Sequence, residues 1–191
     1  MAGFELADMV KVSKVINEPD FLPLHVLRQL AQATKLVRLY PGSLRTTELG
    51  NKIRTAEKRR ALQAILFHFT FWHADLSYFG LGMLGSWPKP DIGIVLWSLS
   101  GAAGEWQTAE KLTRLCTIPV NGVLEANWDM GSVLTQARVL RPLLWYGLLD
   151  HKVEKQQSAS LGERHLYRKA ALFDPFLSFN VRTEQPKAIR H

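Results

Sequence analysis

Apolar residues recur at three- and four-residue spacing through Leu24, Leu27, Leu30 and Ala31. That is the period of a helix with one buried stripe, and it leaves Arg28, Gln29 and Gln32 on the opposite side. Asp20 followed by Phe21, Leu22 and Pro23 marks its start, because the first-turn N–H groups of a helix have no internal partner and a proline there loses nothing. Upstream, Phe4 to Ile16 gives a weaker helical pattern that stops at Asn17-Glu18-Pro19-Asp20. Downstream, residues 36–40 and 44–47 read as two short strands around Pro41-Gly42-Ser43, and Glu48-Leu49-Gly50-Asn51 opens another short helix. The longest helical pattern runs from Thr55 to Ala74, with Leu62, Ile65, Leu66, Phe69 and Trp72 at core spacing. Aromatic residues on nearly every face after Phe67 predict a central helix buried on most sides.

Glycines and prolines between Tyr78 and Pro90 cannot sustain a helix and mark a boundary. A second unit then opens with Asp91 as a cap for the helix IGIVLWSLS, a turn at Gly101–Gly104, and a helix from Trp106 to Cys116 with Ala109, Leu112 and Leu115 inward. The connection from Pro119 to Gly131 is much longer than the three or four residues of an ordinary helix-turn-helix. The third helix of the unit carries Val133, Leu134, Ala137, Leu140, Leu144 and Trp145 on its packed side, and Pro142 should kink it. Two charged strands follow, Leu148–Lys155 and Arg164–Lys169, around the loop QQSASLGE. Leu172 to Phe179 contains too many large apolar groups to hang free in water, each worth roughly 1.5–3 kcal/mol on burial.

The expected fold is therefore mainly α with small β-hairpins, an α+β chain of two tandem winged-helix-like units around a central aromatic helix. Its parts are a degraded N-terminal unit over 1–54, the central helix and Gly/Pro linker over 55–90, a C-terminal winged-helix unit over 91–181, and a loose tail over 182–191. A leucine-rich helix, a two-residue apolar step, a strand, a turn and a return strand occur in both units. The likeness is one of plan and not a repeat of fixed period.

In HVLRQLAQATKLVRLYPGSLRTTELG, FHFTFWHADL, LRPLLWYGLLD and KAALFDPFLSF, the chain resembles winged-helix proteins in general. It also looks like the C-terminal region of the family named after the third open reading frame of an Ri plasmid. The resemblance implies tandem helical units with small wings, and it transfers a fold but almost no chemistry. The amino-terminal domain associated with that family has no counterpart in these residues.

Composition narrows the function classes. With 191 residues, 47% of them hydrophobic and 21% charged, the chain can bury a core without staples. The single Cys116 excludes an intramolecular disulfide framework and fits a reducing, cytoplasmic setting. The N-terminal stretch MAGFELADMVKV carries acids before any apolar run, unlike a secretory signal. The apolar window from Ala64 to Leu84 contains His68, His73, Asp75 and two glycines, so no membrane span is expected. The net charge of +7 divides as +1 over residues 1–50, +4 over 51–90, −2 over 91–150 and +4 over 151–191. A basic excess speaks to attraction for nucleic acid and not to fold.

These patterns point to a DNA-binding protein, a transcriptional or mobile-element-associated regulator. Thr135, Gln136, Arg138 and Arg141 would line the solvent side of the third helix, as types that bond base edges or phosphates. Lys152, Lys155, Arg164, Arg168 and Lys169 on the wing would neutralise phosphates, although Arg168 and Lys169, adjacent in a strand, must point to opposite faces. The alternative is a protein-interaction or assembly module, homodimeric or with another partner, that contacts no nucleic acid. It is favoured by the acidic balance around the third helix, the long 119–131 connection with Trp128, and the apolar residues of the wing. Lys52, Arg54, Lys58, Arg59 and Arg60 form the densest basic run and read first as a solvated helix start. No enzyme, cofactor or metal is expected. His68 and His73, five apart on a helix, would lie about 140° apart around the axis and could not converge. Cys116 fits a buried thiol better than a nucleophile paired with His151 or His165.

Overall fold

The computed structural model describes residues 17–75, 85–118, 129–155 and 163–180. It is mostly helical, with two small antiparallel sheets. The expected helix over 4–16, most of the Gly/Pro linker, the bulk of the 119–131 connection, the 156–162 loop and the 182–191 tail lie outside the described residues. Among the described residues no helix is long and apolar enough to cross a membrane.

Helix α1, Leu22–Ala33, begins after a 3-10 turn in which Asn17 N–H donates to the Asp20 carboxylate at 2.8 Å. It buries Val26 and Leu30 against Leu22, Leu66, Phe69, Ala74 and Trp145. The expected stripe is thus displaced: Leu30 is buried, but Leu24 and Leu27 are 48% and 49% exposed. Periodicity alone could not choose between the stripes, since Leu22, Val26 and Leu30 also stand four residues apart.

The way α1 ends recurs later in the chain. Leu36 N–H donates to Ala31 O at 2.8 Å and Lys35 N–H to Gln32 O at 2.9 Å, with Lys35 at φ 59°. After Trp145, Leu148 N–H donates to Leu143 O at 2.9 Å and Gly147 N–H to Leu144 O at 3.0 Å, with Gly147 at φ 69°. Both are Schellman ends, in which one left-handed residue turns the chain so that the last carbonyls are satisfied. In each case an apolar residue then enters a strand. The two-residue apolar step common to the two halves is this motif.

Strands β1, Val37–Tyr40, and β2, Ser43–Thr46, pair antiparallel with Arg38 opposite Arg45 and Leu39 opposite Leu44. Helix α2, Glu48–Ile53, is capped by Thr47, whose hydroxyl accepts from Gly50 N–H at 3.0 Å and donates to Lys35 O at 2.7 Å. Gly50 lies so close to the chain that a Cβ there would fall 2.1 Å from Leu36 O. The hairpin is therefore clamped at its base to α1 and α2.

Helix α3, Arg59–His68, continues as a π-helical turn, Phe69–His73. It is not buried on most sides as expected: Phe67, Thr70 and Phe71 are buried, while Ile65 and Trp72 are 39% and 41% exposed. Phe67 packs edge-on to Tyr146 and Phe176 at 5.3 and 5.2 Å. Leu66 and Phe69 instead meet α1, so this helix joins the two halves.

The main core gathers Phe67 and Phe71 with Ile92, Val95, Leu96 and Leu99 of α4, Ile92–Ala102, and with Leu112 and Cys116 of α5, Ala109–Cys116. Asp91 makes no side-chain cap for α4; Thr108 does cap α5, accepting from Lys111 N–H at 3.2 Å. Leu115, expected inward, is 56% exposed. Helices α6, Met130–Thr135, and α7, Arg141–Trp145, are joined by a second π-turn, Gln136–Leu140, where Arg141 N–H donates to Gln136 O. Pro142 explains that turn: it has no N–H for the Arg138 carbonyl and its ring would strike it, so the ladder shifts register there. Strands β4, Leu149–Lys155, and β5, Glu163–Lys169, form the second hairpin, and a two-residue strand β3, Gln107–Thr108, adds to its edge in the order β3-β5-β4. A last short helix, α8, Phe173–Phe176, buries Phe173 in the core.

Candidate nucleic-acid interface

The π-turn changes what the third helix offers to solvent. Because it adds a residue to the turn, the side chains on either side of it no longer follow one α-helical stripe. Thr135 and Arg138, expected on the solvent face, are buried at 1% and 0% exposure. Arg138 donates from Nη1 to Trp87 O, tying the segment before α4 to this helix, and burial lowers its pKa while Asp75 raises it. Gln136 is half-buried and donates to the Tyr167 hydroxyl at 2.8 Å. Burial pushes that phenol up to about 12, against smaller opposing effects of Gln136 and Arg141. Arg141 is half-buried. The expected reading face is thus a packed seam between helix and sheet, and Thr135 and Arg138 are corrected from surface to interior.

On the C-terminal hairpin, pairing puts Asp150, Lys152 and Glu154 on one face with Arg164, Leu166 and Arg168. Lys152 Nζ and Arg168 Cζ both lie over the Trp106 ring, 4.9 and 4.7 Å from its centre. Sequence reasoning missed Trp106, which comes from the β3 edge. The same cations pair with Glu154 at 2.6 Å and Asp150 at 3.4 Å. Three cations therefore share their face with two acids, and two of the three are held on an indole; Arg164 is exposed. Lys169 points to the other face, as expected, and binds Asp174 at 2.9 Å. The side chain of Lys155 lies outside the described residues.

The strongest concentration of charge is elsewhere. Residues 35–60 hold eight Lys/Arg against Glu48 and Glu57, a net +6 out of the chain's +7. All eight cations, Lys35, Arg38, Arg45, Lys52, Arg54, Lys58, Arg59 and Arg60, are exposed. Arg38 and Arg45 project from a hairpin of roughly 13 Å, Lys52 from α2, and Arg59 and Arg60 from the start of α3. Arg38 and Arg45 face each other across the β1–β2 pair and both cover the Tyr40 ring at 4.6 Å. Like charges directly opposite in a hairpin oppose its pairing, and an anion between them would relieve that cost. The signal was present in the sequence, but a charge count divided at residue 50 splits it.

Two further groups of titratable side chains lie apart from these cations. Burial pushes the Cys116 thiol up to about 12, the opposite of an activated nucleophile. His151 and His165 stack at 11°, with Nε2 2.9 Å from Nδ1, and burial followed by the neighbouring ring lowers the His151 pKa. A cavity of about 320 Å³ opens between α1 and α7, lined by Val26, Leu27, Leu30, Leu66, Thr70 and Tyr146 among others.

Residues 2–60 match the family model described as the Y4jL N-terminal domain. The match covers the N-terminal helix, hairpin and α2, and it carries the chain's basic segment. No curated protein matches the chain. No solved structure matches it either.

Proposed function

We propose that this protein binds double-stranded DNA through its N-terminal helix, hairpin and helix, residues 22–60, in the manner of a winged-helix unit whose β1–β2 hairpin is the wing. One observation carries the reading: eight exposed cations, with an arginine pair on the hairpin that an anion would stabilise. Such a surface acts on phosphates, so its affinity is largely independent of base sequence. The C-terminal hairpin adds Arg164 and the Trp106-bound pair as a lesser contact. The test is titration of a labelled random duplex between about 50 and 200 mM salt. Replacing Arg38 and Arg45 by alanine should flatten the slope of log K against log salt by about 1 for each phosphate no longer neutralised. A chain that ignores duplex at the lowest salt, or an unchanged slope in the double variant, refutes the reading.

A second reading, an assembly module, rests on Leu24 and Leu27, about half exposed beside the α1–α7 cavity. Exposed apolar side chains at a concavity favour a partner. Native mass measurement with Leu24→Glu and Leu27→Glu separates it from the first: loss of a complex with duplex affinity intact supports assembly alone.

A further inference from the structure

Two histidines that an α-helix would hold apart are brought together by the first π-turn. The turn Phe69–His73 closes with Ala74 N–H donating to Phe69 O at 2.8 Å. Under i→i+5 bonding, residues five apart follow one another along the same face, as residues four apart do in an α-helix. His68 and His73 therefore meet, their Nε2 atoms 3.3 Å apart and their rings edge to face at 5.1 Å. The sequence-based expectation that they diverge is overturned, because it assumed α-helical winding. Both side chains are exposed. His68 is stacked on Trp72 at 5.2 Å and 17°, and His73 lies against Phe69 at 5.3 Å.

We infer that His68 and His73 form a two-imidazole chelate for a tetrahedral divalent cation, zinc in the first instance. With metal–nitrogen bonds of about 2.0–2.1 Å, two donors at the tetrahedral angle stand about 3.3–3.4 Å apart. Adjacent donors of a square-planar ion would stand nearer, at about 2.8–3.0 Å. The observed separation, itself within hydrogen-bond reach, fits the first geometry. His151 and His165 supply the contrast: half-buried and parallel, their nitrogens stand 2.9 Å apart, nearer than tetrahedral donors would. The neighbouring cation, Lys89, donates to the His73 and Ala74 carbonyls at 3.1 and 2.9 Å, away from the ring nitrogens. Among the described residues no group of three or more His, Cys, Asp and Glu side chains could hold the ion, so the chelate is open. Two coordination positions remain for water or for a donor from outside. Because only neutral imidazole coordinates, binding weakens as the medium is acidified.

The test is calorimetric titration of the untagged full chain with zinc chloride at neutral pH, together with cobalt substitution. One zinc per chain is expected, with the visible absorption of tetrahedral cobalt. His68→Gln and His73→Gln should each lose saturable binding, whereas His151→Gln should keep it. Zinc should raise the unfolding midpoint of the wild type and of His151→Gln, but not of His73→Gln. Zinc binding that survives both substitutions overturns the inference, as does its absence from the wild type up to high micromolar metal.

Discussion

Arg138 is where a surface reading and an interior reading predict opposite experiments. Replacing it with alanine removes a side chain of 0% exposure and leaves the Trp87 carbonyl without its guanidinium donor. Two lost methylenes at about 0.8 kcal/mol each give about 1.6 kcal/mol. The orphaned carbonyl adds about 1–3 kcal/mol, and release of a desolvated charge returns part of the total. The expected destabilisation is about 2–4 kcal/mol, a large share of the roughly 5–15 kcal/mol typical of a domain. Urea unfolding followed by tryptophan fluorescence would show it as a midpoint lowered by about 1–2 M, taking a slope near 2 kcal/mol/M. Arg138→Met keeps most of the stem and should cost about 1–2 kcal/mol, so the two variants bracket the packing term. Stability of Arg138→Ala within about 0.5 kcal/mol of the wild type, accompanied by weaker duplex binding, would place the side chain on the surface and refute the reasoning.

Gly50→Ala should destabilise the N-terminal unit by about 1–3 kcal/mol, since the new Cβ meets the Leu36 carbonyl and not a movable side chain; hydrogen exchange of the β1–β2 amides would report it. Lys35→Gly should stabilise by about 0.5–1 kcal/mol by relieving a left-handed non-glycine residue, and Gly147→Ala should destabilise by about 1 kcal/mol for the same reason reversed, both read from thermal unfolding. His151 contributes a pH dependence of definite sign: its folded pKa is depressed, so below the ordinary histidine value near 6.5 the unfolded chain binds more protons and stability falls with falling pH, levelling off below the folded value. Unfolding midpoints across that window should lose part of this slope in His151→Asn.

The hairpins were legible because short apolar–polar alternations were bracketed by Pro41-Gly42 and by the polar loop QQSASLGE, and turn residues at those points leave little choice. The helix α4 was legible because IGIVLWSLS is too apolar to stand free in water, although its capping was not. What failed was the assignment of faces. Leu27 lost its place to Val26 because both belong to helical stripes and only the packing of α3 and Trp145 selects one. Arg138 and Thr135 were misplaced because a π-turn shifts the phase of a helix without leaving a signature in apolar spacing. The single warning was Pro142, which was read as a bend. Among candidate site residues, the opposite facing of Arg168 and Lys169 was legible, but Trp106, which Lys152 and Arg168 share, stands just before a strand of two residues that no pattern marks.

The turn at Gln136–Leu140 also bears on how long this helix can be. An i→i+5 turn holds one residue more than the α-helical ladder needs, so this helix carries a spare residue within its most buried stretch. Removing one residue between 136 and 140 would let the turn rewind as α-helix, leaving the Schellman end at Gly147 undisturbed while swinging everything before the turn by about 100°. Pro142 would then face the carbonyl from which the bulge now separates it. The helix that could most readily shorten by one residue is held at its present length by a proline in its last turns.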